Sequence, residues 1–288
     1  MVHITTKIEN ILAAFLLAGG ACTALVATGA IPSVSLKPGP LRDQGRWGII
    51  FEDNFDGTSL NLSRWSYNYP VDWPHGGHTH NHEAYMAEEN VLVEGGLLRI
   101  VGEDRRHPSA PPPEETGWGY LSYNYTAGAI HTMGKFSAKY GYFEARMKFP
   151  EGPTGFWPAF WTLNEAGGWP PEIDIHEWLS NKPRTLYCTF HYRDEANAHR
   201  SSGDSIDLLP DMSKGFHVYG VEWSADSIAW YFDNAKVYSY SNPATIAQLQ
   251  AQYIIINLAV GGWAAPPDAS TAWPAYYEVD WVRVWQPA

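Results

Sequence analysis

Three carboxylates stand within six residues of one another, at Glu172, Asp174 and Glu177. The residues between them are mostly isoleucines, as in a strand with a buried face. A carboxylate loses favourable hydration beside apolar groups or like charges, so such a cluster costs folding free energy. Ionisable groups in these surroundings concentrate at functional sites. This stretch is therefore the first candidate for a catalytic centre.

The spacing of the carboxylates indicates which chemistry they would do. Side chains of a regular strand alternate between its faces, so Glu172 and Asp174 share a face and Glu177 lies on the other. A β-bulge at about Ile175 and His176 would bring Glu177 back to the first face. Two carboxyl groups roughly 5–5.5 Å apart suit a retaining glycosidase, with one as nucleophile and one as acid/base. An acidic edge strand and a hard-cation site are the alternatives.

The elements around this stretch read as many short strands separated by turns, which is typical of an all-β sandwich or barrel. The predicted strands cover residues 48–51, 90–93, 97–101, two within 136–149, 184–192, 216–223, 228–232, 236–240, 253–260 and 277–285. One short helix is predicted at residues 244–252. Pro158 predicts that its strand is an edge strand or carries a bulge, because proline cannot donate to a ladder.

Composition favours a carbohydrate partner over nucleic acid. The chain has 288 residues, with 14 Trp and 17 Tyr, and aromatic rings stack on the apolar faces of sugars. Its net charge of -12 argues against phosphate binding, which depends on Lys and Arg. The acidity fits a neutral polysaccharide, and we expect a monomer.

The N-terminal residues predict export. Residues 11–30 form an apolar run, so we predict a signal peptide or membrane anchor over residues 1–30. Residues 31–46 contain Pro32, Pro38 and Pro40 and are predicted to be a linker. A single catalytic domain would then cover residues 47–288, and the protein would be secreted or anchored at the cell surface.

Six motifs in order give the chain a resemblance to a known family. They lie at residues 125–128, 134–136, 140–146, 155–161, 257–263 and 279–285, around the carboxylate stretch. With them, roughly residues 47–287 resemble glycoside hydrolase family 16, in its laminarinase and endo-β-1,3(4)-glucanase group. The resemblance implies a concanavalin-like jelly-roll sandwich of two curved antiparallel sheets with a concave substrate cleft. It also implies Glu172 as nucleophile, Asp174 as helper and Glu177 as acid/base.

Residues predicted to bind substrate surround these carboxylates in the sequence. Sugar stacking is the first interpretation for the tryptophans, with core packing as the alternative. Arg146 is interpreted either as a hydrogen-bond donor in the cleft or as a structural salt-bridge residue. The predicted set is Trp157, Trp161, Trp169, His191, Trp263, Asn81, Glu83, Tyr85 and Arg146. His176 replaces a residue that is usually apolar in the family. It is interpreted as a peripheral histidine or as a group that tunes Glu177.

The resemblance also raises the question of calcium. Family members often hold a structural Ca²⁺ on the convex side, at positions that match Asn54, the backbone of Gly96, and Asp280. Asn54 stands where a glutamate is common, which weakens a hard-cation site. No cofactor is expected to be required for catalysis.

The sequence therefore predicts a secreted endo-acting β-glucanase that cuts β-1,3 or mixed β-1,3/1,4 linkages. A galactan hydrolase of the agarase or carrageenase type is the alternative among enzymes. A lectin-like sandwich that binds glycan without cutting it is the alternative from another class. The paired carboxylates Glu172 and Glu177 favour an enzyme, since a pure binder does not need them.

Overall fold

The computed structural model describes residues 47–70, 82–116, 119–207 and 209–288. The predicted leader and linker, residues 1–46, lie outside this part of the chain, as does Asn81. No helix among the described residues is long and apolar enough to cross a membrane.

Two antiparallel sheets make up most of the described chain. The first has eight strands. Seven of them follow one another in the order β17 (Ala235–Tyr240), β16 (Ile228–Phe232), β15 (His217–Trp223), β10 (Gly141–Lys148), β19 (Ala275–Pro287), β5 (Leu97–Gly102) and β4 (Val91–Glu94). The eighth, β1 (Trp47–Asp53), pairs with the C-terminal half of β19. The second has seven strands, in the order β14 (His199–Ile206), β13 (Leu186–Arg193), β12 (Glu172–Trp178), β11 (Phe156–Asn164), β18 (Gln252–Val260), β9 (Ala129–His131) and β2 (Ser66–Tyr67).

Small elements close the ends of the two sheets. Strand β3 (Ala84–Met86) pairs in parallel with β8 (Tyr125–Ala127), and β6 (Glu114–Thr116) pairs with β7 (Gly119–Leu121). The one α-helix in the described residues is α1 (Pro243–Ile246), which begins after an Asn242 cap that accepts from Ala244 N. The fold is the predicted all-β jelly-roll sandwich.

Strand alternation explains why the two sheets face each other. Phe143, Ala145 and Met147 on β10 are buried in the same core as Ile173 and Ile175 on β12. Burying a large apolar side chain contributes about 1.5–3 kcal/mol. The inward positions of both sheets therefore hold the sandwich together and leave the outer face of the seven-stranded sheet free to carry a site.

Most predicted strands are present, with bounds that differ by a few residues. Only one strand, β10, forms within 136–149. The predicted helix is limited to α1, and β18 begins at Gln252, the last residue of the predicted helix. Strand β14 was not predicted. It is an exposed edge strand of mostly polar residues, so its sequence lacks the apolar alternation that marks a strand.

The position of Pro158 corrects the edge-strand prediction. Strand β11 is the fourth of seven, between β12 and β18. The ladder with β12 begins at the pair Ala159 and Glu177, one residue after Pro158, so the missing N–H of Pro158 breaks no hydrogen bond with β12. A register shift does occur between Phe160 and Trp161.

Arg146 lies away from the seven-stranded sheet, which corrects its assignment as a cleft donor. It sits on β10 of the eight-stranded sheet, where its Nη1 is 2.5 Å from Asp280 Oδ2. Its guanidinium also lies 4.7 Å from the centre of the Phe216 ring. Arg146 is thus a structural salt-bridge residue, the alternative that the sequence had left open.

The predicted calcium ligands are already engaged by arginines. Asp280 pairs with Arg146, and Asn54 Oδ1 accepts from Arg283 Nη2 at 3.0 Å. Gly96 lies in the turn between β4 and β5. Each guanidinium occupies one side-chain oxygen of its partner, and its positive charge opposes a divalent cation there, so this donor set fits calcium poorly.

Candidate active site

The carboxylate strand contains the predicted bulge. In the ladder between β12 and β13, Asp174 pairs with Thr189 and Glu177 pairs with Tyr187, so two residues of β12 lie opposite the single residue Cys188. The extra residue turns the side chains of Ile175 and His176 into the core. It brings Glu177 to the face that carries Glu172 and Asp174.

The three carboxylates line one pocket on the outer face of the seven-stranded sheet. The pocket has a volume of about 340 Å³. Its lining residues come from strands β11 to β14, from β18, and from loops, and they are Tyr69, Trp157, Ala159, Trp161, Trp169, Glu172, Asp174, Glu177, Thr189, His191, Ser201, Asn257, Ala259 and Trp263.

Each outer carboxylate receives a hydrogen bond from a different indole. Trp169 Nε1 donates to Glu172 Oε2 at 2.8 Å, and Trp157 Nε1 donates to Glu177 Oε1 at 3.0 Å. Charge-assisted bonds of this kind fix the orientation of a carboxylate and favour its ionised form. The two glutamates are therefore held separately, one at each side of Asp174.

The middle carboxylate faces an imidazole. His191 Nε2 lies 3.1 Å from Asp174 Oδ2 and 3.7 Å from Glu172 Oε1. One oxygen or nitrogen from each of these three residues falls within 4.8 Å of the others, a spacing that a divalent cation could accept. The same spacing also suits hydrogen bonding between the imidazole of His191 and the carboxylates of Asp174 and Glu172.

Burial shifts both glutamates toward their protonated forms. Burial raises the pKa of Glu172 well above its usual range, and the nearby Asp174 carboxylate raises it further. Burial also raises the pKa of Glu177, again with Asp174 adding to the effect and the Trp157 hydrogen bond opposing it. The set therefore retains protons at a pH where isolated glutamates would have lost them.

Four of the predicted aromatic residues lie at the pocket. Trp169 and Trp263 are exposed at their pocket positions, at 42% and 47% of their surface. Trp157 packs edge-on against Trp263, with ring centres 5.8 Å apart. Trp161 donates through Nε1 to Asn257 Oδ1 at 2.8 Å. Trp157 and Trp161 are buried, which agrees with the packing interpretation, and sugar stacking by these two rings stays a prediction.

Two other predicted residues, Glu83 and Tyr85, do not line the pocket. Glu83 Oε2 accepts from Ser122 Oγ at 2.9 Å, and the Glu83 side chain packs against Gly261. Tyr85 stacks on His107 with ring centres 4.7 Å apart. These two residues could therefore contact only a polysaccharide substrate that extends beyond this pocket.

His176 is in the core, which corrects its prediction as a peripheral residue. It is fully buried, with Nε2 at 3.3 Å from Met147 Sδ and 2.9 Å from Tyr277 Oη. Both partners belong to the eight-stranded sheet, so His176 bridges the two sheets. Burial lowers its pKa well below the usual value.

Several pocket residues were not predicted from the sequence. These are Tyr69, Ala159, Thr189, Ser201, Asn257 and Ala259. Period-two spacing from the predicted residues could have found some of them, since Ala159 lies between Trp157 and Trp161, and Thr189 lies two residues before His191. Tyr69 and Ser201 carry no such signal, because their segments join the site only through long-range pairing.

Comparisons with known proteins agree with this geometry. The family model described as Glycosyl hydrolases family 16 matches residues 84–283. The chain is similar to the endo-1,3-1,4-beta-glycanase EglC of Rhizobium meliloti (strain 1021), at 38% identity over 163 residues, which are 57% of this chain and 34% of that protein. It is similar to the beta-glucanase of Rhodothermus marinus, at 30% identity over 264 residues, which cover 83% of this chain and 85% of that protein.

A solved structure has a similar fold. The catalytic domain of an endo-1,3-beta-glucanase (laminarinase) from Thermotoga petrophila RKU-1 aligns with a TM-score of 0.68 at 31% identity, and the match covers 84% of this chain and 98% of that one. The chain spans 34%, 39% and 38% of the length of the first three curated relatives.

Proposed function

This chain belongs to glycosyl hydrolase family 16, and we propose that it is a retaining endo-acting hydrolase of β-1,3-glucan or mixed β-1,3/1,4-glucan. One observation carries the proposal. The bulge in β12 places Glu172 and Glu177 in the same pocket, and a separate tryptophan donates to each of them. Two carboxyl groups on one side of a cleft are the machinery of double displacement.

In this mechanism Glu172 is the nucleophile. It attacks the anomeric carbon in its ionised form, which the hydrogen bond from Trp169 favours. Glu177 enters protonated, because burial and the Asp174 carboxylate raise its pKa. It donates that proton to the leaving oxygen, and after the covalent intermediate has formed it acts as base toward water.

Asp174 is proposed as the helper between the two glutamates. It lies beside Glu172, whose pKa it raises, and it faces His191 at 3.1 Å, so it can accept the proton that Glu172 gives up before the attack. When Glu172 loses its proton for the attack, the charge stays close to the hydrogen-bond donors that stabilise it. No metal ion is needed for any of these steps.

The pocket lining supports a neutral glucan as substrate. The exposed rings of Trp169 and Trp263 lie on the sides of Glu172 and Glu177 and can stack on sugar rings on either side of the scissile bond. None of the residues that line this pocket in the described chain is Lys or Arg, which a sulfated galactan would require. Mixed-linkage glucan and laminarin remain the proposed substrates.

Product analysis on four polysaccharides tests the proposal. Laminarin, lichenan, agarose and carrageenan are incubated with the protein and with the Glu172→Gln variant, and reducing ends and oligosaccharide lengths are measured. We expect internal cleavage of laminarin or lichenan, retention of the β-anomer in the first products, and no products from the variant. Cleavage of agarose alone would favour the galactan hydrolase, and binding without any cleavage would favour the lectin.

Secretion and oligomeric state belong to the same proposal. The apolar run at residues 11–30 supports export of a protein whose substrate is a polymer outside the cell. A monomer fits an enzyme whose pocket is built from one chain. Size-exclusion chromatography with light scattering tests the monomer, and N-terminal sequencing of the exported protein locates any cleavage site.

A further inference from the structure

A histidine outside the pocket contacts two residues that reach the catalytic carboxylates. His199 begins β14, the edge strand of the seven-stranded sheet, and does not line the pocket. Its Nε2 lies 2.9 Å from His191 Nδ1, and the two rings stack with centres 5.1 Å apart and planes at 21°. His199 is thus in hydrogen-bond contact with the imidazole that faces Asp174.

The His199 ring also packs against Trp169, the residue that donates a hydrogen bond to the proposed nucleophile Glu172. The ring centres of His199 and Trp169 are 4.6 Å apart. Trp169 in turn donates to Glu172 Oε2 at 2.8 Å. His199 therefore supports one neighbour of Glu172 through ring packing and one neighbour of Asp174 through a hydrogen bond.

The contacts of His191 determine which of its nitrogens carries the proton. Its Nε2 faces two carboxylates, at 3.1 Å and 3.7 Å, and a lone pair in that position would be repelled by an ionised carboxylate. The tautomer with the least repulsion has its proton on Nε2, near Asp174 Oδ2, a buried oxygen with no other hydrogen-bond partner among the described residues, and accepts at Nδ1. The group within reach of Nδ1 is His199 Nε2, which must be the donor.

We propose that His199 is a positioning residue for the carboxylate pair: it holds His191 with Nε2–H toward Asp174 and Glu172, and it holds Trp169 against Glu172. The role in catalysis rests on the proposed function, because it acts on the residues assigned to that reaction. His199 acts through His191 and Trp169, because it does not itself line the pocket. Its loss should lower kcat more than it changes KM, since Glu172 is misplaced for attack while Trp157, Trp161 and Trp263 still line the pocket.

Three substitutions separate the two contacts. His199→Gln keeps a donor for His191 and loses the ring, His199→Phe keeps a ring for Trp169 and loses the donor, and His199→Ala loses both. We expect kcat to fall by about 10- to 100-fold in His199→Ala, as for small displacements of catalytic groups, with KM changed less than about threefold. His199→Gln should recover part of kcat that His199→Phe does not.

A matched control lies on the same strand. Ser205 is exposed on β14 and does not line the pocket, so Ser205→Ala should retain the kcat of the unchanged protein. Circular dichroism and melting temperature check that all variants are folded. A kcat of His199→Ala within twofold of the unchanged protein would overturn the positioning role, and so would an equal fall in Ser205→Ala.

A spectroscopic measurement tests the arrangement without relying on activity. In ¹⁵N NMR of the histidine-labelled protein, His191 should show a protonated Nε2 and an unprotonated Nδ1, and this pattern should weaken in His199→Phe but persist in His199→Gln. A neutral His191 protonated on Nδ1 would refute the proposal even in an active enzyme. If the protein cuts no glucan but the NMR pattern is as expected, the proposed function fails and the histidine arrangement stands.

Discussion

Trp157 reaches across the ladder of β11 and β12 and donates a hydrogen bond to Glu177 at 3.0 Å. The contact is diagonal, because the strand partner of Glu177 is Ala159, two residues further along β11. It exists only because the bulge turns Glu177 to the face that carries Trp157. The same local irregularity thus places the proposed acid and supplies it with a donor.

Removal of this donor should move the alkaline limb of the pH–activity profile. A hydrogen bond to a carboxylate favours its ionised form, and the Trp157 bond lowers the pKa of Glu177 against the effect of burial. In Trp157→Phe the pKa of Glu177 should rise, so the acid stays protonated to higher pH. The limb of kcat/KM that falls with increasing pH should therefore shift to higher pH.

Trp161→Phe is the matched control for that experiment. Trp161 lines the same pocket, but its Nε1 donates to Asn257 rather than to a carboxylate. Its substitution should leave the alkaline limb where it is, whatever happens to KM. Equal shifts in both variants would show that the Trp157 hydrogen bond is not the cause.

Substitution of the two glutamates should separate their roles. Glu172→Gln is nearly isosteric, so it should lower hydrolysis by at least about 10³-fold with little change in melting temperature. Glu177→Ala should be partly rescued by azide, an anionic nucleophile that attacks the covalent intermediate without help from a base, displaces the Glu172 carboxylate and gives a β-glycosyl azide. Both are measured by reducing-end assay and NMR of the products. An α-configured azide product, or normal turnover of Glu172→Gln, would contradict the double displacement.

His176 should make the fold sensitive to acid. Burial holds the pKa of His176 well below its usual value of 6.5, so below that pH the unfolded chain takes up a proton that the folded chain does not. Stability is then complete above pH 6.5 and falls with decreasing pH by up to about 1.4 kcal/mol per unit. In His176→Met this dependence should be reduced, as measured by urea unfolding at pH 5, 6 and 8.

A second buried histidine, His131, should preserve part of the pH dependence of the free energy of unfolding in His176→Met. Burial also lowers the pKa of His131, to about 4, which acts in the same direction. His176→Met should therefore weaken the acid dependence without abolishing it, and the values at pH 8 give the packing effect of the substitution alone. Parallel curves for the two proteins from pH 8 to pH 5 would show that His176 is not the source.

Chelation should not destabilise the folded domain. Asp280 Oδ2 and Asn54 Oδ1 accept from Arg146 and Arg283, whose positive charges oppose a divalent cation at the positions predicted to bind calcium. Scanning calorimetry with excess EDTA or CaCl₂ should give the same melting temperature within about 1 °C, because a ligand that does not bind the native state does not shift its stability. A rise with calcium that EDTA reverses would restore the calcium site.

The local pattern of residues was sufficient for the fold class and for the central strand. Alternating apolar residues and turn signals report on a few neighbouring positions, and they predicted most of the strands of both sheets. The bulge was predictable because the spacing from Glu172 to Glu177 can be satisfied on one face only with an extra residue. The same information did not predict β14, whose pairing with β13 holds a polar edge segment that has no periodicity of its own.

The sequence by itself determined which carboxylates stand on one strand and that they share a face. Only the tertiary structure decided what surrounds them. It brought Tyr69, Asn257 and His199 to the site from distant segments, moved Arg146 to a salt bridge on the other sheet, and buried His176 between the sheets. The physical reason is that the side chain's face follows from local strand geometry, whereas its partners follow from pairing and packing between segments far apart in the chain.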